Sequence, residues 1–232
     1  MDAPTTTNQT FTIGKAALIA GLGLLLMTLT VPFAEFYIFP KLIGDDAAAT
    51  AENISNEKLL FSTGIFLHLF TLLCDIVVAW ALYLFLKPVM RYFSLLVAWF
   101  RLIYTAMYLV ALANLMKILA LVQTSGDSTN IQWAESVQLH IDSFRLEWSF
   151  GLIIFGIYLV LLGYLVLKAQ YVPKIFGILL LIAGLGYVIH TLGAFFSPTT
   201  DLSFLFFTFF GELVFMVWLL VKGRKLQLAV PE

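Results

Sequence analysis

Asp75 and Arg101 stand thirteen residues before and thirteen after Pro88. Each lies inside a long apolar run, "LLCDIVVAW" in the case of the acid. If the chain folds back on itself at the proline, the two positions come level. At 1.5 Å per helical residue, both lie ~15–20 Å from the turn. A carboxylate and a guanidinium at equal depth make an ion pair, because the planar fork of Arg matches a carboxylate and keeps its charge. An unpaired charge near the middle of a bilayer costs about 2.5–3.5 kcal/mol on insertion scales. The spacing therefore predicts that Asp75 pairs with Arg101.

Five further ionisable side chains interrupt the apolar runs: Glu35, His68, Glu147, His190 and Glu212. Ionisable residues within membrane spans usually face the bundle interior, where they mark ligand or ion paths or set helix register. His68 precedes Asp75 by seven residues and shares nearly the same helix face. Glu35 follows Pro32 near the end of the first apolar run. Glu212 is expected level with Gly184 to Tyr187, in reach of Arg101. His140, Ser143 and Glu147 form one stripe at an outer rim. The polar groups gather at the centre and in the outer half, which predicts a polar pocket floored by Asp75 and Arg101 and lined by Glu212, His190, His68 and Glu35. Such a pocket suits a small polar molecule or a lipid headgroup, or an ion- or proton-coupled carrier. A metal-assisted lipid hydrolase using His68, His140 and His190 is the alternative. No HExxH or GxSxG motif supports it, and no metal or cofactor is assigned. A structural or accessory subunit, with the charges only fixing register, is a third reading.

These residues are positioned by long helices. Of 232 residues, 61% are hydrophobic and 12% charged, where soluble domains carry roughly 25% charged. Apolar runs of ~18 or more residues read as membrane-spanning helices. Six are expected, at about 15–39, 59–86, 92–122, 145–167, 175–196 and 202–221, forming one all-α transmembrane domain. The net charge of −1 offers no field for nucleic acid, so membrane lipid is the expected partner. Lone Cys74 excludes an intramolecular disulfide.

Lys87 and Arg91, Lys168 and Lys174, and Lys222, Arg224 and Lys225 fall in alternate connections. The positive-inside rule then places both termini in the cytoplasm. Segments at about 40–58 and 123–144 lie outside. Asp45-Asp46 before an Ala-rich stretch predicts a short surface helix. From Trp133 the second segment reads as an amphipathic helix, continuous with span four or lying in the interface. Gly156 and Gly163, Gly177 and Gly184, and Gly186 and Gly193 recur at seven-residue intervals, which predicts close helix packing.

The stretches "FAEF", "GDDAAATAENI", "ALYLFLKPVMRYFSLLVAWFRLIYTAMY", "FGIYLVLLGYLVLKAQYVPKIFGILLLIAGLGYVI" and "GELVFMVWLLVKG", in that order, resemble the bacterial membrane family catalogued as domain of unknown function 4386 (DUF4386). The resemblance implies a multi-helix protein of the bacterial inner membrane. It carries over no substrate, cofactor or functional residue.

Overall fold

The computed structural model describes residues 11–124, 131–196 and 202–230. Helix α1 (Ile13–Phe33) passes through a π-helical turn (Ala34–Ile38) into the short α2 (Phe39–Leu42). Surface helix α3 (Ala47–Asn56) leads to α4 (Lys58–Leu86), α5 (Arg91–Thr124), α6 (Ile131–Lys168) and α7 (Lys174–Phe196). A 3-10 segment (Ser203–Phe209) then runs into α8 (Phe210–Val221). Five helical stretches are long and apolar enough to cross a membrane: Ile13–Leu42, Lys58–Leu86, Arg91–Gln123, Ile131–Lys168 and Lys174–Phe196.

The break in α1 has a local cause. Pro32 supplies no N–H to the preceding turn, and the widened π turn begins two residues later. Such turns re-aim the side chains that follow. Here the turn carries Glu35 and packs against α4. Helix α3 starts as the sequence predicts, with the Asp46 carboxylate accepting from Ala49 N–H at 2.7 Å. Its Thr50, Ala51 and Ile54 are buried, and it packs mainly against α6.

The amphipathic segment from Trp133 is continuous with span four, so α6 is one 38-residue helix. The buried stripe Trp133, Val137, Ile141, Phe144, Gly151, Phe155, Tyr158, Leu162 and Leu165 keeps its 3.6-residue phase through Arg145, where the sequence alone places a boundary. The last apolar run departs from a uniform helix. Its first seven residues are 3-10 and only twelve are α-helical. Its expected cap, Asp201, lies outside the described residues.

Helices α6 and α7 pack backbone to backbone. A Cβ on Gly156 would lie 2.7 Å from Gly184 O, and one on Gly163 would lie 2.8 Å from Gly177 O. The two seven-residue glycine pairs thus face each other. At one end of the bundle, Thr12 and Ala229 form an antiparallel bridge. Ile13 N–H donates to Leu228 O at 2.9 Å, and Val230 N–H to Phe11 O at 3.0 Å. The two ends of the described chain therefore sit side by side, and they define a terminal face opposite to the face that carries α3.

Candidate functional site

The polar residues of the interior gather at two centres, an Asp75–Arg101 ion pair and a Glu35–His68 contact. In the first, Arg101 Nη2 lies 2.5 Å from Asp75 Oδ1, with both side chains essentially inaccessible. Helices α4 and α5 hold the pair level across their turn. Arg101 Nη1 also donates to the Tyr158 hydroxyl of α6 at 2.8 Å. Its Nη2 lies 3.8 Å from Met27 Sδ of α1. The guanidinium carbon sits 5.0 Å from the Tyr158 ring centre and 5.8 Å from that of Phe155, within cation–π range. One arginine thereby ties α1, α4, α5 and α6 together. Neither Asp75 oxygen has an aligned donor among the described residues, and Arg101 Nε has no acceptor. The contact is held by charge rather than by a matched fork. One turn away, the Thr30 and Thr71 hydroxyls meet at 2.8 Å.

The second centre lies toward the face bearing α3. His68 is fully buried on α4, with Nε2 3.1 Å from Glu35 Oε1 on the π turn. Its Nδ1 is hydrogen-bonded to the Tyr108 hydroxyl of α5. The rings of Phe39, Phe144 and Trp148 close around the imidazole, with centroids 5.4–5.8 Å away. Tyr108 stacks on Trp148, with 5.2 Å between centroids and 7° between planes. Trp148 Nε1–H donates to the Tyr104 hydroxyl at 3.2 Å. The Glu35 side chain retains 27% of its exposure. It borders a recess also lined by Phe39, Ile54, Phe61, Phe144 and Arg145. The cavity is about 10 Å³, roughly what one water molecule needs.

Among the described residues, no hydrogen bond or ion pair joins the remaining sequence candidates to these centres. Glu212 is half-buried and is hydrogen-bonded to Tyr187, within the field of Arg101 and Asp75. His190 Nδ1 lies 3.2 Å from the backbone oxygen of Leu202, the residue that caps the 3-10 segment. Glu147 accepts from the buried Asn114 amide at 2.9 Å, and Lys117 Nζ lies 3.3 Å from Asn114 Oδ1. His140 is half-buried on α6, and no contact joins it to Glu147 among the described residues. No group of three or more His, Cys, Asp or Glu has the geometry of a metal site among those residues.

Tyr158, Tyr108, Asn114, Tyr187 and Met27 complete the network and were not singled out as partners by sequence. Their signal was faint: Tyr and Asn within an apolar helix need a hydrogen-bonding neighbour, but that need does not say which helix supplies it.

Long apolar helices with charged residues paired in the interior define a helical integral membrane protein. The family model described as Domain of unknown function (DUF4386) matches residues 19–223, and the chain belongs to that family. A protein of Archaeoglobus fulgidus described as uncharacterized is 37% identical over 164 residues, covering 71% of this chain and 84% of its own length. No solved structure matches.

Proposed function

We propose that the chain crosses the bacterial cytoplasmic membrane six times, with both termini in the cytoplasm. In this reading the recess beside Glu35 opens outward and binds a small polar molecule or a lipid headgroup. The paired ends at Thr12 and Ala229 support an even number of crossings. Five crossings would part them by the thickness of the bilayer. The sixth crossing would be the 3-10 segment with α8. At about 2.0 Å per 3-10 residue and 1.5 Å per α residue, it reaches roughly 32 Å, enough for the ~30 Å hydrocarbon layer.

The observation that carries the binding reading is Glu35. It is a carboxylate on a re-aimed turn, partnered by a fully buried histidine and facing a recess that is otherwise mainly apolar. Pockets of this make-up, apolar walls with a few placed polar groups, are the usual form of ligand sites. An ion- or proton-coupled carrier is one version of this reading. The Glu35–His68 contact favours it, since a carboxylate and an imidazole in contact are groups that can pass a proton. By contrast, Asp75 is held against Arg101 and serves better as a fixed anchor.

The test is cysteine accessibility in a Cys74→Ala background. Glu35→Cys is expected to react with a membrane-impermeant maleimide in intact cells, much faster than Asp75→Cys. Labelling of Glu35→Cys only in inverted vesicles, or no faster than Asp75→Cys, would overturn the reading.

A further inference from the structure

We infer that the recess receives the headgroup of an aminophospholipid, with its primary ammonium on Glu35 and its phosphate on Arg145. This rests on the reading of the recess as a binding site and names its ligand.

The argument begins with hydrogen-bond roles. A neutral imidazole carries one donor and one acceptor. His68 Nδ1 is hydrogen-bonded to the Tyr108 hydroxyl; in the tautomer that accepts this bond, the ring proton is on Nε2, 3.1 Å from Glu35 Oε1, though the two are not aligned as a hydrogen bond. In that tautomer the imidazole is neutral and leaves the carboxylate its charge. The other groups around His68 leave this charge in force. Phe39, Phe144 and Trp148 present uncharged rings, Tyr104 is occupied by Trp148, and Asp75 belongs to Arg101. Lys41 is turned over the Tyr37 ring, 3.6 Å from its centre. The charged groups lining the recess are therefore the Glu35 carboxylate, half-sunk, and the Arg145 guanidinium on an exposed side chain.

A carboxylate below and a guanidinium at the mouth complement a zwitterion that enters cation first. The enclosed space holds one water-sized group, which fits a primary ammonium and not the three methyl groups of choline. Phe39, Phe61 and Phe144 also line the space, and aromatic rings attract a cation. The other lining residues, Leu42, Ile43, Ile54, Leu115 and Ile141, are apolar, as a membrane-borne ligand requires. Arginine is the side chain suited to paired phosphate oxygens.

Native mass spectrometry of the full chain in detergent tests this, with phosphatidylethanolamine, phosphatidylglycerol and phosphatidylcholine of matched acyl chains. Phosphatidylethanolamine is expected to be retained about tenfold better than either competitor, the worth of one charge-assisted hydrogen bond. Glu35→Gln is expected to remove that preference while leaving phosphatidylglycerol retention unchanged. Arg145→Gln is expected to weaken retention of all three phospholipids. Thermal unfolding of each variant shows that it is folded. If Glu35→Gln fails to fold, the wild-type comparison of ethanolamine with choline lipid and the Arg145→Gln variant still decide.

Equal retention of the three lipids by the wild-type protein overturns the inference, as does a preference that survives Glu35→Gln. Glu35-dependent binding of free phosphoethanolamine, with no lipid preference, also overturns the lipid source but keeps the recess as a site. If Glu35→Cys is also closed to outside reagent, the site itself falls.

Discussion

Arg101 reaches across the α4–α5 turn to Asp75 at 2.5 Å, and with its other nitrogen it takes the Tyr158 hydroxyl of α6. The pair costs desolvation on both sides, and what it returns is a fixed register between helices. Removing one partner strands the other in a buried site. Asp75→Leu or Arg101→Leu alone should therefore destabilise the folded protein by about 3–5 kcal/mol. An Asp75→Leu/Arg101→Leu double variant should recover part of that loss. Unfolding midpoints in detergent read the cycle, and additive losses would show that the two residues are not coupled.

The His68–Tyr108 contact makes a second prediction. Tyr108→Phe takes the hydroxyl from a buried imidazole nitrogen, at a cost of about 1–3 kcal/mol. The same change made on a His68→Phe background should cost less, since the nitrogen is already gone. The stacked Trp148 reports locally through its fluorescence, which should shift in Tyr108→Phe and stay unchanged in a distant control such as Tyr92→Phe, an exposed side chain.

Asp75–Arg101 was legible in sequence because a proline turn fixes relative depth along two consecutive helices. Depth is one-dimensional, and rise per residue supplies it. The π turn at Ala34–Ile38 was only half legible: Pro32 signals a disturbance but not the direction in which Glu35 then points. His190 shows the limit. Its depth was readable, but its partner, Leu202 O, caps a 3-10 segment whose apolar sequence "SFLFFTF" carries no signal against an α-helix. Lateral neighbours such as Tyr158 and Met27 depend on how non-consecutive helices pack, which hydrophobic period does not encode.

Close packing of α6 on α7 yields a third expectation. Gly163→Ala would place a methyl group 2.8 Å from Gly177 O and 2.9 Å from Leu181 N. Backbone cannot rotate aside as a side chain can, so overpacking of about 1–3 kcal/mol is expected. Gly151→Ala, where the nearest atom is 3.6 Å away on Tyr104, should be near neutral. A thermal shift in the first variant and none in the second distinguishes contact geometry from a general dislike of alanine.

On the terminal face, Tyr171 in the α6–α7 connection donates to Phe85 O at 2.5 Å. Burial pushes its phenol up from the ordinary value, so the donor keeps its proton through the range in which tyrosine usually ionises. Tyr171→Phe should cost about 0.5–1.5 kcal/mol. That loss should be the same at pH 7 and pH 9.5, as measured by paired unfolding curves. A loss that vanishes at the higher pH would mean that the phenol had already ionised.

The seam between Phe11–Ile13 and Leu228–Val230 also sets a schedule for biogenesis. A ribosome delivers Phe11–Ile13 long before their backbone partners at Leu228–Val230. A Cβ on Gly14 would collide with Leu226 O and Arg224 O, so the later segment must settle directly onto the start of α1. Every described helix is already synthesised when this happens. Closing the seam thus waits on all of these helices, and a product truncated before Leu226 would leave the base of α1 open.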